Sequence, residues 1–157
     1  MDKYPMTPEG LDRLVKELKN LKSVERPAVI NAIAVAREHG DLKENAEYHA
    51  AREKQGFIEA RISELEAVTS FVEVIDPSSF SGDTIRFGAN VVVFDEDADD
   101  EVSYQIVGSH EADIALKRLS ITAPLAKALL GKTIGDVVEV TTPGGKKSYE
   151  VCSVNFS

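Results

Sequence analysis

The sequence predicts an α+β protein in two parts: an antiparallel α-helical coiled-coil hairpin over residues 1-76, then a small α+β domain over residues 77-157. Three observations predict it. Leu11, Leu14, Leu18 and Leu21 recur at alternating spacings of three and four, the seam of a helix packed on another helix. A Pro-, Gly- and Ser-rich break, Asp76-Pro77-Ser78-Ser79-Phe80-Ser81-Gly82-Asp83, marks the domain boundary. Beyond it the apolar residues alternate with polar ones in short runs, which is the period of strands.

Thr7-Pro8-Glu9 opens the first helix, with Thr7 as N-cap, Pro8 at the first helical position and an acid in the first turn. Pro27 lies inside the helical pattern and is expected to bend the helix or restart it there. The apolar set then resumes with Ile30 and Ile33 among Ala32, Ala34, Val35 and Ala36. Gly40 reads as the residue just past a helix end, where a positive φ carries no Cβ penalty. A second helix is expected from Asp41, returning through Ala46, Ala50, Phe57, Ile58, Ile62, Leu65, Thr69 and Val72. Two helices of roughly thirty residues, at 1.5 Å per residue, make a rod of about 45 Å with its turn at the far end. Strands are expected at Thr84–Phe87, Asn90–Phe94, Val102–Val107, Val137–Thr141 and Ser148–Val154, with a hairpin turn at Pro143-Gly144-Gly145. Pro124 to Leu130 reads as a short helix closed by Gly131. Asp95 to Glu101 is almost wholly acidic but lacks the central Gly of a calcium loop, so a solvated hairpin connection is expected there.

At 157 residues, with 43% hydrophobic and 29% charged, the chain has a globular composition rather than a disordered one. Its net charge of -9 argues against a protein that coats nucleic acid with a basic surface. A single cysteine, Cys152, excludes an intramolecular disulfide framework. The N-terminal residues lack the apolar run of a signal peptide and no stretch is long enough for a membrane span, so a cytoplasmic protein without a membrane partner is expected. No phosphate-cradling loop, nucleophile elbow or His-Glu-x-x-His pattern occurs. His39, His49 and His110 lack the ordered spacing of a zinc site.

The stretch with the most chemistry is the turn itself, where Asp41 and Glu44 are displayed three residues apart. Two readings stand. Asp41-x-x-Glu44 has the spacing of a capping box, in which the pair satisfies backbone N–H groups. Alternatively, both carboxylates face outward to hold a hard divalent cation such as Mg2+, which takes one or two carboxylates with waters and phosphate oxygens. Two carboxylates bind it weakly alone, so such a site works only beside another molecule's metal and a phosphate. Arg37, Lys43, Arg52 and Lys54 lie within a few turns; they could draw in a phosphate backbone or merely pair along the helices. Tyr48 could stack on a base or close the hairpin end.

The run from His39 to Glu53, with Gly40-Asp41-Leu42-Lys43-Glu44-Asn45-Ala46-Glu47-Tyr48 at its centre, resembles the tip signature of the bacterial Gre transcript cleavage factors. The resemblance extends over the chain through Pro5-Met6-Thr7, Arg26-Pro27, Ile106-Val107-Gly108, Glu111-Ala112-Asp113 and Thr142-Pro143-Gly144-Gly145. It implies an N-terminal antiparallel coiled coil and an FKBP-like C-terminal domain. It further implies a transcription elongation factor that is not itself an enzyme. Its globular domain would dock at the rim of the RNA polymerase secondary channel, for which the matching region is Ser120, Ile121, Thr122, Ala123 and Pro124. Asp41 and Glu44 would help hold a Mg2+ ion in the polymerase active site, so that the polymerase cleaves its own backtracked transcript. Arg37, Arg52 and Lys43 would contact the nascent RNA 3′ segment. A monomer is expected, with no cofactor bound tightly by the protein alone. Rival readings are a channel-binding regulator without cleavage stimulation and a prolyl isomerase.

Overall fold

The computed structural model describes residues 3–40 and 42–156. They form two compact units, Asp12–Phe71 and Met1–Leu11 with Val72–Ser157. The chain thus divides at two points, after Leu11 and after Phe71, where the sequence had suggested one division near residue 76. The first residues form strand β1, Tyr4–Met6, whose three positions are too few to show a period.

In the helical unit, α1 (Pro8–Asn20) runs through a π-helical turn, Leu21–Glu25, into α2 (Arg26–Arg37), and α3 (Ala46–Ser70) returns. The Thr7 hydroxyl oxygen accepts the Gly10 N–H at 3.1 Å, so Thr7 is the N-cap the sequence predicted. At Pro27 the helical backbone is continuous, and α2 starts at Arg26 directly after the π turn. A proline ring collides with the carbonyl four residues back, here that of Ser23, and widening the preceding turn from α to π relieves that contact. Arg26 N–H accordingly donates to the Leu21 carbonyl, five residues back.

The π turn has a consequence for the buried face. One extra residue enters the turn, so the inward position one heptad after Leu21 moves from residue 28 to residue 29. Val29, Ile33 and Ala36 are buried, whereas Ile30 is 53% exposed. On α3 the inward set is Ile58, Ile62, Leu65 and Val68. Phe57, among the returning apolar residues of the sequence, is 68% exposed, because its neighbour Ile58 points about 100° away and only one of the two can face α2. Val29, Ile58 and Ile62 pack together, with Leu18 and Leu21 against them. Charged pairs fix the antiparallel register: Arg61 grips Glu17 at 2.7 and 2.9 Å, and Arg26 grips Glu59 at 2.8 Å through both nitrogens. Hydrogen bonds from Arg61 hold the Glu17 carboxyl below its ordinary range, and those from Arg26 do the same for Glu59.

The second unit pairs β1 with β2 (Val72–Val74) in parallel, Tyr4 opposite Val72 and Met6 opposite Val74. Its main sheet contains β3 (Asn90–Asp95), β4 (Asp100–Val107), β5 (Arg118–Ser120), β6 (Val137–Thr142) and β7 (Gly145–Asn155), in the spatial order β5-β4-β3-β7-β6. All neighbours are antiparallel except β4 and β5. The short helix α4 (Pro124–Leu129) buries Ala126 and Leu129 in a core with Val91, Val93, Ile106, Val138 and Val151. This is the α+β class the sequence predicted. Thr84–Phe87 is not a strand: Ile85 and Phe87 are buried, but the backbone forms only one bridge, Thr84 with Thr133. Alternation there reports side chains dropping into the core, not a ladder. The acidic run is the β3–β4 connection. Asp95 Oδ1 accepts the N–H groups of Asp97 (3.0 Å) and Ala98 (3.1 Å), and Asp99 takes the left-handed conformation at φ 54.

One buried carboxylate ties this unit to the N-terminal segment. Glu111 accepts from Thr7 N–H at 2.8 Å, the Thr7 hydroxyl, Gly108 N–H at 3.1 Å and Arg118 Nη2 at 2.9 Å. Among the described residues no helix is long and apolar enough to cross a membrane.

The hairpin tip as candidate functional site

The last turn of α2 closes through Glu38 N–H to Val35 O and His39 N–H to Ala36 O, both 3.1 Å. Gly40 follows at φ +100, the left-handed position expected from the sequence. Asp41 lies outside the described residues. Residues 42–44 form a turn, and α3 begins at Ala46, later than the sequence suggested.

That delay changes the role of the acid at 44. The N-cap of α3 is Asn45: it adopts an extended backbone (φ -83, ψ 100) and its Oδ1 accepts the Tyr48 N–H at 3.0 Å. Glu44 therefore precedes the cap and cannot be the third residue of α3, so the capping-box reading of Glu44 does not hold at this helix start. Glu44 is exposed and has no hydrogen bond or ion pair among the described residues. With His39, Asn45, Ala46 and Glu47 it lines an open concavity at the tip.

The same Asn45 reaches across the hairpin. Its Nδ2 donates to the Ala36 carbonyl at 2.6 Å, capturing an acceptor of the α2 C-terminus. Sequence reasoning missed this residue. An Asn directly before a helix was the available signal, obscured by the acid pair just upstream.

Of the cations singled out, Arg37 ends α2 with its guanidinium carbon 5.9 Å from the centre of the Tyr48 ring. Tyr48 in turn packs edge-on against His49, centroids 5.5 Å apart. Lys43 contributes its carbonyl oxygen, 3.0 Å from His49 Nε2. Arg52 is exposed one turn beyond Tyr48 and makes no ion pair among the described residues. Lys54 is engaged with Glu25 at 3.8 Å, and His39 Nε2 lies 3.8 Å from Glu47. The tip thus brings Arg37, Tyr48, Lys43, Glu44 and Asn45 to one end of the hairpin. No group of three or more His, Cys, Asp or Glu side chains able to enclose a metal occurs among the described residues.

Ser120, Ile121, Thr122, Ala123 and Pro124 belong to the other unit. They form a tight turn from β5 into α4, in which Thr122 N–H donates to Ser120 Oγ at 3.1 Å and Ile121 N–H to the Val107 carbonyl at 2.8 Å. Ile121 packs on the core, leaving Thr122 and Pro124 exposed. Close by in sequence, Ile114 and Leu116 are more than half exposed on a 3-10 turn, a feature the sequence did not signal.

An α+β chain whose helical hairpin ends in an exposed acid defines a class by its fold but not yet a family. The comparisons with known proteins narrow this. Residues 4–74 match the N-terminal model of a transcription elongation factor family, and residues 80–156 match the GreA/GreB C-terminal model. The "Transcription elongation factor GreA" of Rhodospirillum rubrum is 64% identical over 99% of both chains. Proteins of the same name are 62% identical in Acidiphilium cryptum, over 99% of both chains, and 62% identical in Ruegeria pomeroyi, over the whole of both. The chain belongs to the GreA/GreB family of transcription elongation factors.

Proposed function

We propose that this elongation factor acts on RNA polymerase whose transcript has slid backward, entering the secondary channel with its hairpin tip and stimulating the polymerase's own cleavage of the nascent RNA. The observation that carries the proposal is Glu44: Asn45 caps α3, and the acid is left exposed with no hydrogen bond or ion pair among the described residues. An exposed carboxylate, together with Asp41, suits an ion that takes few protein oxygens and completes its shell with water and phosphate. Asp41 and Glu44 would hold Mg2+ jointly with the polymerase; such an ion, when bound, polarises a phosphate oxygen and acidifies a bound water. The chain's own residues do the rest. Arg37 and Arg52, with Lys43, supply positive charge for the RNA 3′ segment, and the stacking of Arg37 on Tyr48 limits the conformational freedom of that guanidinium. Thr122 and Pro124, presented on a turn pinned to the core, fit a docking contact at the channel rim.

The test is transcript cleavage in halted, backtracked complexes. Asp41→Asn and Glu44→Gln remove charge and leave Asn45, the N-cap of α3, in place. They are expected to keep polymerase binding and helix content while abolishing the acceleration. Wild-type acceleration by Glu44→Gln would overturn the proposal.

A further inference from the structure

We propose that Asn45 is a positioning residue: by bridging the end of α2 to the start of α3 with one side chain, it holds the acid-bearing turn in the geometry that cleavage requires. The inference rests on the functional reading above and extends it to a residue whose role in the reaction would be indirect. The amide of Asn45 has two ends with opposite chemistry, and each meets its complement. The oxygen accepts from an N–H (Tyr48, 3.0 Å) and the nitrogen donates to a carbonyl (Ala36, 2.6 Å). Flipping the amide would set donor against donor and acceptor against acceptor, so the partners fix its orientation. Both anchor points are well held. Ala36 is 2% exposed in the helix seam, and Tyr48 sits in the first turn of α3 under Arg37. The turn carrying Glu44 runs between Ala36 and Asn45, which lie 9 positions apart in sequence.

No other short side chain does both jobs. Asp keeps the cap but sets a carboxylate against the Ala36 carbonyl. Ser keeps the cap but lacks the reach. Gln adds a methylene and is a poor N-cap. Without the bridge the turn loses its direct tie between the two helix ends and keeps the contact of the Lys43 carbonyl with His49 Nε2 at 3.0 Å, while Gly40 is a pivot of unrestricted φ. A carboxylate displaced by about 1 Å from a reacting centre can cost up to about 100-fold in rate; a turn that still visits the right position part of the time should lose about tenfold.

The experiment compares Asn45→Asp, Asn45→Ser and Glu44→Gln with the wild-type full-length chain. Backbone amide order parameters are read for residues 42–44 and for Tyr48 in the free protein. With polymerase, both the maximal cleavage rate and the half-saturating concentration of the factor are measured. Asn45→Asp should keep helix content and Tyr48 order, lower the order of residues 42–44, and cut the maximal rate about tenfold at unchanged half-saturation. Glu44→Gln should lose cleavage with the turn as ordered as in wild type. Unchanged order at residues 42–44 in Asn45→Asp, or a loss that appears only as weaker half-saturation, would overturn the inference. If the wild-type chain itself does not accelerate cleavage, the functional reading falls, and the positioning role falls with it; the clamp alone would then be judged by amide order.

Discussion

Replacing Glu111 with Gln probes the buried hub of the second unit. The Glu111 side chain is 1% exposed and its Arg118 partner 15%. All four of its partners present a hydrogen: Thr7 N–H and Gly108 N–H at one oxygen, the Thr7 hydroxyl and Arg118 Nη2 at the other. Gln has the same shape but must turn an NH2 toward one of these pairs. Toward the first pair it faces two backbone donors that cannot rotate. Toward the second, the Thr7 hydroxyl can reorient, but the Arg118 guanidinium cannot. Leaving one buried donor unpaired costs about 1–3 kcal/mol, and breaking a buried ion pair costs about 3–5. The terms overlap, so a loss of about 3–4 kcal/mol is expected, a large part of a domain's usual 5–15. Urea unfolding gives the measurement; with no tryptophan in the chain, near-ultraviolet circular dichroism of tyrosine is the probe, since Tyr4, Tyr104 and Tyr149 lie in this unit. At a slope of about 1.5 kcal/mol per molar, the midpoint should fall by roughly 2 M. Glu111→Gln combined with Arg118→Gln should cost less than the two single losses added, because neither charge is then stranded. A midpoint within about 0.3 M of wild type for Glu111→Gln would refute the reasoning.

Other consequences can be checked in the same way. Gly108→Ala would drive a Cβ into the backbone carbonyl of Pro5, which cannot swing aside as a side chain could, so a loss of about 1–3 kcal/mol is expected in urea unfolding. Ile62→Ala, inside the helical seam, should cost about 2–5 kcal/mol, while Phe57→Ala, whose ring is mostly exposed, should stay within about 0.5; equal losses would show that Phe57 is buried after all. The Glu17 carboxyl is held below its ordinary 4.5 by Arg61, so its contribution is present above that value and disappears as pH falls through the folded-state value. Wild type should therefore exceed Glu17→Gln in stability at pH 6–7, by no more than about 1 kcal/mol for so exposed a pair. The gap should shrink as pH falls from 4.5 in thermal melts; a gap that widens toward acid would contradict the pairing.

Much of the architecture follows from short-range chemistry and was therefore legible in the residues. The Thr7 cap, the left-handed Gly40, the β6–β7 turn and the acidic β3–β4 connection each depend on a few neighbouring positions. The change from helical to alternating period divided the chain into its two kinds of structure, and the tip motif pointed to the family. Other features depend on groups that local patterns cannot join. The phase of α2 was set by the π turn that accommodates Pro27, which moved Val29 into the seam and Ile30 out. Asn45 took the capping role because its amide could satisfy both helix ends once the hairpin had closed, and that left Glu44 exposed. Glu111 meets Thr7 across 104 positions of sequence, and β1 finds β2 only after the whole hairpin has intervened. Neighbouring residues specify their own backbone; which side chain stays unemployed is decided only when distant donors and acceptors have paired.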